Sequence, residues 1–114
     1  SGVHINAAGS NHWIRQEIDD SVIKRSDIIV VDSLDDAKIE AGDLLYPIER
    51  GRIRWDQIHE LSDVVGGKIT GRTSDNSITL FESQGVAISD IAAAAHVYAE
   101  AKKMGLGSEI PMDL

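Results

Sequence analysis

No cysteine occurs in this chain, which excludes disulfide bonds and thiolate metal sites and fits a cytoplasmic setting. No apolar run approaches the roughly 20 residues that cross a bilayer, so a soluble protein is expected. A signal-peptide pattern is missing from Ser1 to Asn11 as well. Basic side chains are scarce: 11 Lys and Arg stand against 19 Asp and Glu, for a net charge of -8. That balance repels phosphate backbones and anionic lipid, so neither nucleic acid nor a membrane surface is an expected partner. His4, His12, His59 and His96 form no close-spaced ligand pair, and no metal site is expected.

What is present is one small domain, because 114 residues suffice for a single core and not for two. Val3, Ile5 and Ala7 alternate with His4, Asn6 and Ala8, and this run empties into Gly9-Ser10-Asn11. It reads as a buried strand ending in a ligand-binding loop, where Gly9 permits a sharp turn and a close approach; a plain turn accounts for the same three residues. Asp19 or Asp20 can cap a short helix through Ser21 to Arg25. The β-branched run from Asp27 to Asp32 is the signature of a strand covered on both faces. Ser33 and Asp36 have capping-box spacing and open a helix with Leu34, Ala37 and Ala41 on one face, ending at Gly42.

Pro47 argues for an irregular connection from Asp43 to Arg54. Ile58, Leu61 and Val65 have the spacing of a helix from Trp55 to about Val65, with Gly66 as its stop. Ser77 to Phe81 reads as the third strand and runs into a second polar loop, Glu82-Ser83-Gln84-Gly85. A long helix is predicted over Ala87 to Met104, followed by an extended tail from Leu106 to Leu114.

This order predicts an α/β fold in three layers, a mostly parallel sheet with helices on both faces. Ligands in such sheets bind beyond the carboxyl ends of the strands, which singles out Gly9 to Asn11, Ser83 to Gly85, and Asp32 with Ser33. Three strands make a thin sheet, so the first strand is expected to need a neighbour from outside this chain. Asn11 could bond a carboxamide or substrate group, and Ser10 could donate to a phosphate or a nicotinamide. Ser83 has no nearby histidine or lysine in sequence, which suits a binding hydroxyl better than a nucleophile. Arg15 could pair with a phosphate or carboxylate, or simply be solvated. Asp32, Asp35 and Asp36 could hold magnesium, yet two of the three also fit the ordinary role of charging a helix N-terminus.

Val3 to Asn11 followed by Gln16-Glu17-Ile18-Asp19 resembles the segment of the ornithine cyclodeaminase and mu-crystallin family that opens the second half of its Rossmann domain. The likeness continues in order through Ile28 to Asp32, Ala41-Gly42-Asp43-Leu44-Leu45, Gly71-Arg72-Thr73, and Ile78 to Gly85 with Ile88-Ser89-Asp90. It implies that residues 1–114 are the C-terminal half of an NAD(P)-binding domain. The first Rossmann half, with its Gly-x-Gly phosphate loop, and the substrate domain have no counterpart here. It further implies an enzyme using NAD or NADP on small amino or cyclic imino acids, by ornithine cyclisation or by reduction of ketimines such as pyrroline-2-carboxylate.

By position, the resemblance places Ala8, Gly9 and Ser10 at the nicotinamide end of the cofactor, Arg15 near the cofactor, and Ser83 and Gln84 against nicotinamide and substrate. Asn11 stands where the family's cyclodeaminases and alanine dehydrogenases carry an aspartate as proton donor and acceptor. An amide cannot act as a general acid or base near neutral pH, so the residue favours imine reduction over cyclisation. The isolated chain is expected to be inactive, to bind the cofactor weakly, and to form a homo-oligomer through its first-strand edge or its alanine-rich helix. The alternative is a small non-catalytic binding or signalling domain such as a phospho-receiver. Asp32, Asp35 and Asp36 suit that superficially, although no lysine follows the late strand.

Overall fold

The computed structural model describes residues 2–112; Ser1, Asp113 and Leu114, and with them the end of the expected tail, lie outside it. The elements are β1 (His4–Ala7), α1 (Asp20–Arg25), β2 (Ile28–Val31), α2 (Leu34–Glu40), α3 (Gly42–Glu49), a 3-10 turn (Trp55–Gln57), β3 (Ile58–Glu60), α4 (Leu61–Val65), β4 (Thr79–Glu82) and α5 (Ala87–Met104). The four strands form one parallel sheet in the order β1-β4-β2-β3. The molecule is thus a parallel α/β domain, as the alternation of signals requires.

The core follows the expected β-branched run. Ile29 and Val31 of β2 are buried with Leu80 of β4, Ile58 of β3, Ala7, Ile23, Ala37, Ala41 and Leu44. The two inner strands are covered on both faces, whereas β1 lies at the sheet edge with only Ala7 buried. The first strand is therefore an edge strand in this chain, and its expected burial is confined to its carboxyl end. Ends of elements match their chemistry: the Asp19 carboxylate accepts from the Ser21 and Val22 amides, and Ser33 Oγ accepts from the Asp36 amide. At the opposite pole of the sheet the Arg72 guanidinium donates to the Ser77 carbonyl at 2.6 Å and to Thr79 Oγ1 at 3.2 Å, fixing the start of β4.

Two expected segments are corrected. Trp55 to Val65 is not one helix: a 3-10 turn leads into β3, and only Leu61–Val65 is helical. Ile58 pairs in register with Ile29 and is buried, while Leu61 and Val65 are 39 % and 79 % exposed, so the helical spacing joined residues that serve different elements. The sheet accordingly has four strands where three were expected. Asp43 to Arg54 is likewise more regular than Pro47 suggested, since α3 runs through that proline. The proline removes one helix donor but is itself buried, as are Asp43 and Leu44, and burial outweighs the lost bond in so short a helix.

The long helix α5 occupies the expected span, and none of its residues is buried. Ile88, Ile91, Val97 and Tyr98 are each about two-thirds exposed, so no face of it is covered. No helix among the described residues is long and apolar enough to cross a membrane.

Candidate functional site

The sheet register decides what meets at the carboxyl ends. Ala7 of β1 pairs with Glu82 of β4, Glu82 with Val31 of β2, and Val31 with Glu60 of β3, so four strand ends stand in one row. Because β4 lies between β1 and β2, the Gly9 loop and the Ser83–Gly85 loop leave the sheet side by side, with Asp32 next to them. The Ser83 amide extends the pairing by donating to the Ala7 carbonyl at 2.9 Å.

Each loop is held by a carboxylate. Both oxygens of Glu17 accept from the Gly9 amide, at 3.0 and 2.9 Å. Glu17 is itself placed by Asp43, whose Oδ1 accepts from the Glu17 and Ile18 amides at 2.9 and 3.1 Å. On the other side the Ser83 hydroxyl donates to Asp32 Oδ2 at 2.6 Å, and the Gly85 amide donates to the same oxygen at 2.8 Å. The Ser33 amide donates to Asp32 Oδ1 at 2.9 Å. Charge-assisted bonds of this kind are stronger than neutral ones, so the two glycine loops are firmly positioned.

A Cβ at Gly9 would meet only the Glu17 carboxylate, the far end of an exposed, flexible side chain. Gly42 is more tightly constrained: its missing side chain leaves space for the backbone carbonyls of His12, Trp13 and Arg15, which bring the end of the first loop onto α3.

The expected site residues separate into two groups. Ser10 and Gln84 are buried, and Ser10 Oγ and both amide atoms of Gln84 have no hydrogen-bond partner within the protein. Ala8, Gly9, Asn11 and Arg15 are exposed, and Arg15 contributes its carbonyl to loop packing. Ser83 is half-buried with its hydroxyl directed at Asp32. Asp35 and Asp36 lie on the exposed first turn of α2, separate in role from Asp32. Among the described residues no group of three His, Asp or Glu side chains has the arrangement to hold a metal ion.

Three acids that sequence reasoning did not single out complete the site: Glu17, Asp43 and Glu82. Burial pushes the Glu82 carboxyl up to about 7, with Asp43, Asp32 and Glu17 adding to the rise and the Gln84 side chain offsetting part of it. Burial also raises Asp43, against the pull of the Ile18 and Glu17 amides. One signal in the sequence pointed to Glu82, since period-two alternation puts it on the same strand face as Leu80. Glu17 and Asp43 carried no local mark, because their partners lie eight and twenty-six residues away.

Comparison with known proteins gives this geometry a context. The model of the ornithine cyclodeaminase/mu-crystallin family matches residues 1–105. A Delta(1)-pyrroline-2-carboxylate reductase of Bacillus cereus is 39% identical over 110 residues, covering 96% of this chain and 34% of the relative. The structure of the Thermococcus litoralis Delta(1)-pyrroline-2-carboxylate reductase with NADH and L-proline matches with a TM-score of 0.84 and 35% identity, over 96% of this chain and 34% of that one. An archaeal alanine dehydrogenase dimer with bound NAD matches with a TM-score of 0.78 and 38% identity, over 97% and 34%. The chain spans about a third of the length of these relatives.

Proposed function

This chain belongs to the ornithine cyclodeaminase/mu-crystallin family, and from that premise we propose that its carboxyl-end rim is the nicotinamide-facing part of an NAD(P)-dependent oxidoreductase that reduces a small cyclic imino acid. The observation that carries this reading is the adjacency of the Gly9–Asn11 and Ser83–Gly85 loops, 72 or more residues apart in sequence and joined by the Ser83 amide to Ala7 carbonyl bond. The rim also has the right chemistry for a carboxamide, which needs both a donor and an acceptor. Ser10 supplies a buried hydroxyl with no partner in the protein, and the buried Gln84 amide, which acts only on the Glu82 carboxyl, makes no well-formed bond. Relatives described with NADH or NAD support the same cofactor class.

In this mechanism the bound cofactor supplies a hydride, and the chain's residues supply position. Ser10 and Gln84 hold the nicotinamide end, and Asp32 fixes Ser83 and Gly85 beside it. Asn11, exposed at the loop exit, orients the substrate by hydrogen bonding and cannot serve as a general acid, so water or a residue elsewhere in the protein delivers the proton. The rest of the Rossmann domain and the substrate domain come from the remainder of the polypeptide, with the open edge of β1 as the seam. The whole protein acts as a homo-oligomer. Both parts of this reading fit an edge strand and a long helix left uncovered in this chain.

The test is an assay of the full-length protein with Δ1-pyrroline-2-carboxylate and either NADH or NADPH, run beside an assay for ammonia release from ornithine. Oxidation of the coenzyme with the imine, and no ammonia from ornithine, is the expected result. Ornithine cyclisation at a comparable rate overturns the role given to Asn11, and failure to oxidise either coenzyme with any cyclic imine overturns the reading altogether.

A further inference from the structure

Glu82 is a buried charged group to which the proposed chemistry gives no task. It ends an inner strand of the sheet, is 1 % exposed, and its carboxylate oxygens make no well-formed hydrogen bond, with the Gln84 side chain alone acting on them as a donor. The charged groups facing it come from three separate parts of the chain and are all acids: Asp43 from α3, Asp32 from the end of β2, and Glu17 from the connection between β1 and α1. Each of these three is committed. Glu17 holds the Gly9 amide, Asp43 holds the Glu17 and Ile18 amides, and Asp32 holds Ser83 and Gly85. A carboxylate buried without a cation, and with only the Gln84 amide to set against its charge, is costly, and a fourth negative charge among three others is costlier. A neutral carboxylic acid fills the same space without that penalty.

We propose that Glu82 is a positioning residue: protonated, it lets Glu17, Asp32 and Asp43 hold the two glycine loops side by side, and when it ionises nicotinamide binding at this rim weakens. The proposal rests on the reading of the rim as a nicotinamide site. Burial and the facing acids place the Glu82 carboxyl at about 7 in the folded protein, well above the ordinary glutamate range. The folded state therefore binds this proton more tightly than the unfolded chain. Stability from this group is fully present below the ordinary glutamate range and is lost as pH rises through about 7.

The experiment measures two quantities across this pH range in the full-length protein and its Glu82→Gln variant. The first is the thermal midpoint without cofactor, and the second is the affinity for NADH and NADPH. Wild-type protein should lose thermal stability towards and above neutrality, and above that point its nicotinamide affinity should fall by up to roughly tenfold per pH unit. Glu82→Gln, neutral at every pH and nearly the same shape, should flatten both curves. Curves for the two proteins that run parallel overturn the proposal. Absence of nicotinamide binding at every pH overturns the functional reading and its link to Glu82, while the cofactor-free midpoints still decide whether Glu82 titrates as described.

Should Glu82→Gln not fold, Asp43→Asn keeps the oxygen that accepts from Glu17 and Ile18 and removes one facing charge. The wild-type transition should then move towards acid pH; an unmoved transition counts against the proposal.

Discussion

In the proposed function, Asn11 is where this chain departs from a site with a titratable acid or base. It lies exposed just beyond the buried Ser10, at the mouth of the first loop, and in the proposed function it meets the substrate. A primary amide offers two donors and an acceptor, and it neither releases nor takes a proton near neutrality. Replacing it by aspartate keeps the size and adds a titratable group in an exposed position. In the full-length protein, Asn11→Asp should introduce an ionisation in the ordinary aspartate range into the pH profile of kcat/KM, with little change in thermal stability. A profile identical to that of the wild type would show that Asn11 lies outside the reacting geometry. Ser83 is a different case. Its hydroxyl is bound to Asp32 at 2.6 Å, and the same carboxylate holds Gly85, so its position is set before any ligand arrives.

Among the elements, α3 links the site to the core. Its first residue, Gly42, has the carbonyls of His12, Trp13 and Arg15 packed where a side chain would be, and its second, Asp43, holds the backbone at Glu17 and Ile18. Gly42→Ala should therefore cost roughly 1–3 kcal/mol in chemical denaturation through overpacking against backbone that has little freedom to move. It should also displace the Gly9–Asn11 loop and weaken nicotinamide binding beyond the loss of stability. A variant as stable as the wild type would mean that the loop adjusts without strain.

The sequence made α1, β2, α2 and α5 legible because their caps and apolar spacing are local. It hid β3, whose three residues sit between a 3-10 turn and a short helix and borrow their periodicity from the latter. The two site loops were legible as polar, glycine-bearing exits from strands. Of the acids that hold those loops, Asp32 was marked by its place at a strand end, whereas Glu17 and Asp43 were not, since they act on groups brought near by the fold, which no local pattern encodes.

At the scale of the whole molecule the charge and the uncovered surfaces belong together. A net charge of -8 disfavours the approach of polyanions, and the acids at the strand ends make the rim unfavourable for the phosphates of a dinucleotide. The nicotinamide end can be held here, while the pyrophosphate needs amides or cations from elsewhere, in agreement with a chain that spans about a third of its relatives. The helix α5 leads to the same conclusion by a different route. Its eighteen residues bury nothing, yet Ile88, Ile91, Val97 and Tyr98 distribute apolar surface around it, and the molecule is drawn out to 56 × 33 × 22 Å. A helix that is apolar on several sides is stable when other elements cover it, since an isolated helix of this length is marginal in water.

Amide hydrogen exchange separates the two situations. In the full-length protein the backbone of α5 and the outward-facing amides of β1 should be protected to nearly the same degree as β2. In residues 1–114 alone, α5 should exchange within the dead time of the measurement while β2 and β4 remain protected. Strong protection of α5 in the short chain at low concentration would show that the helix needs no cover. Protection that grows with concentration would instead identify a second copy of this chain as what covers it.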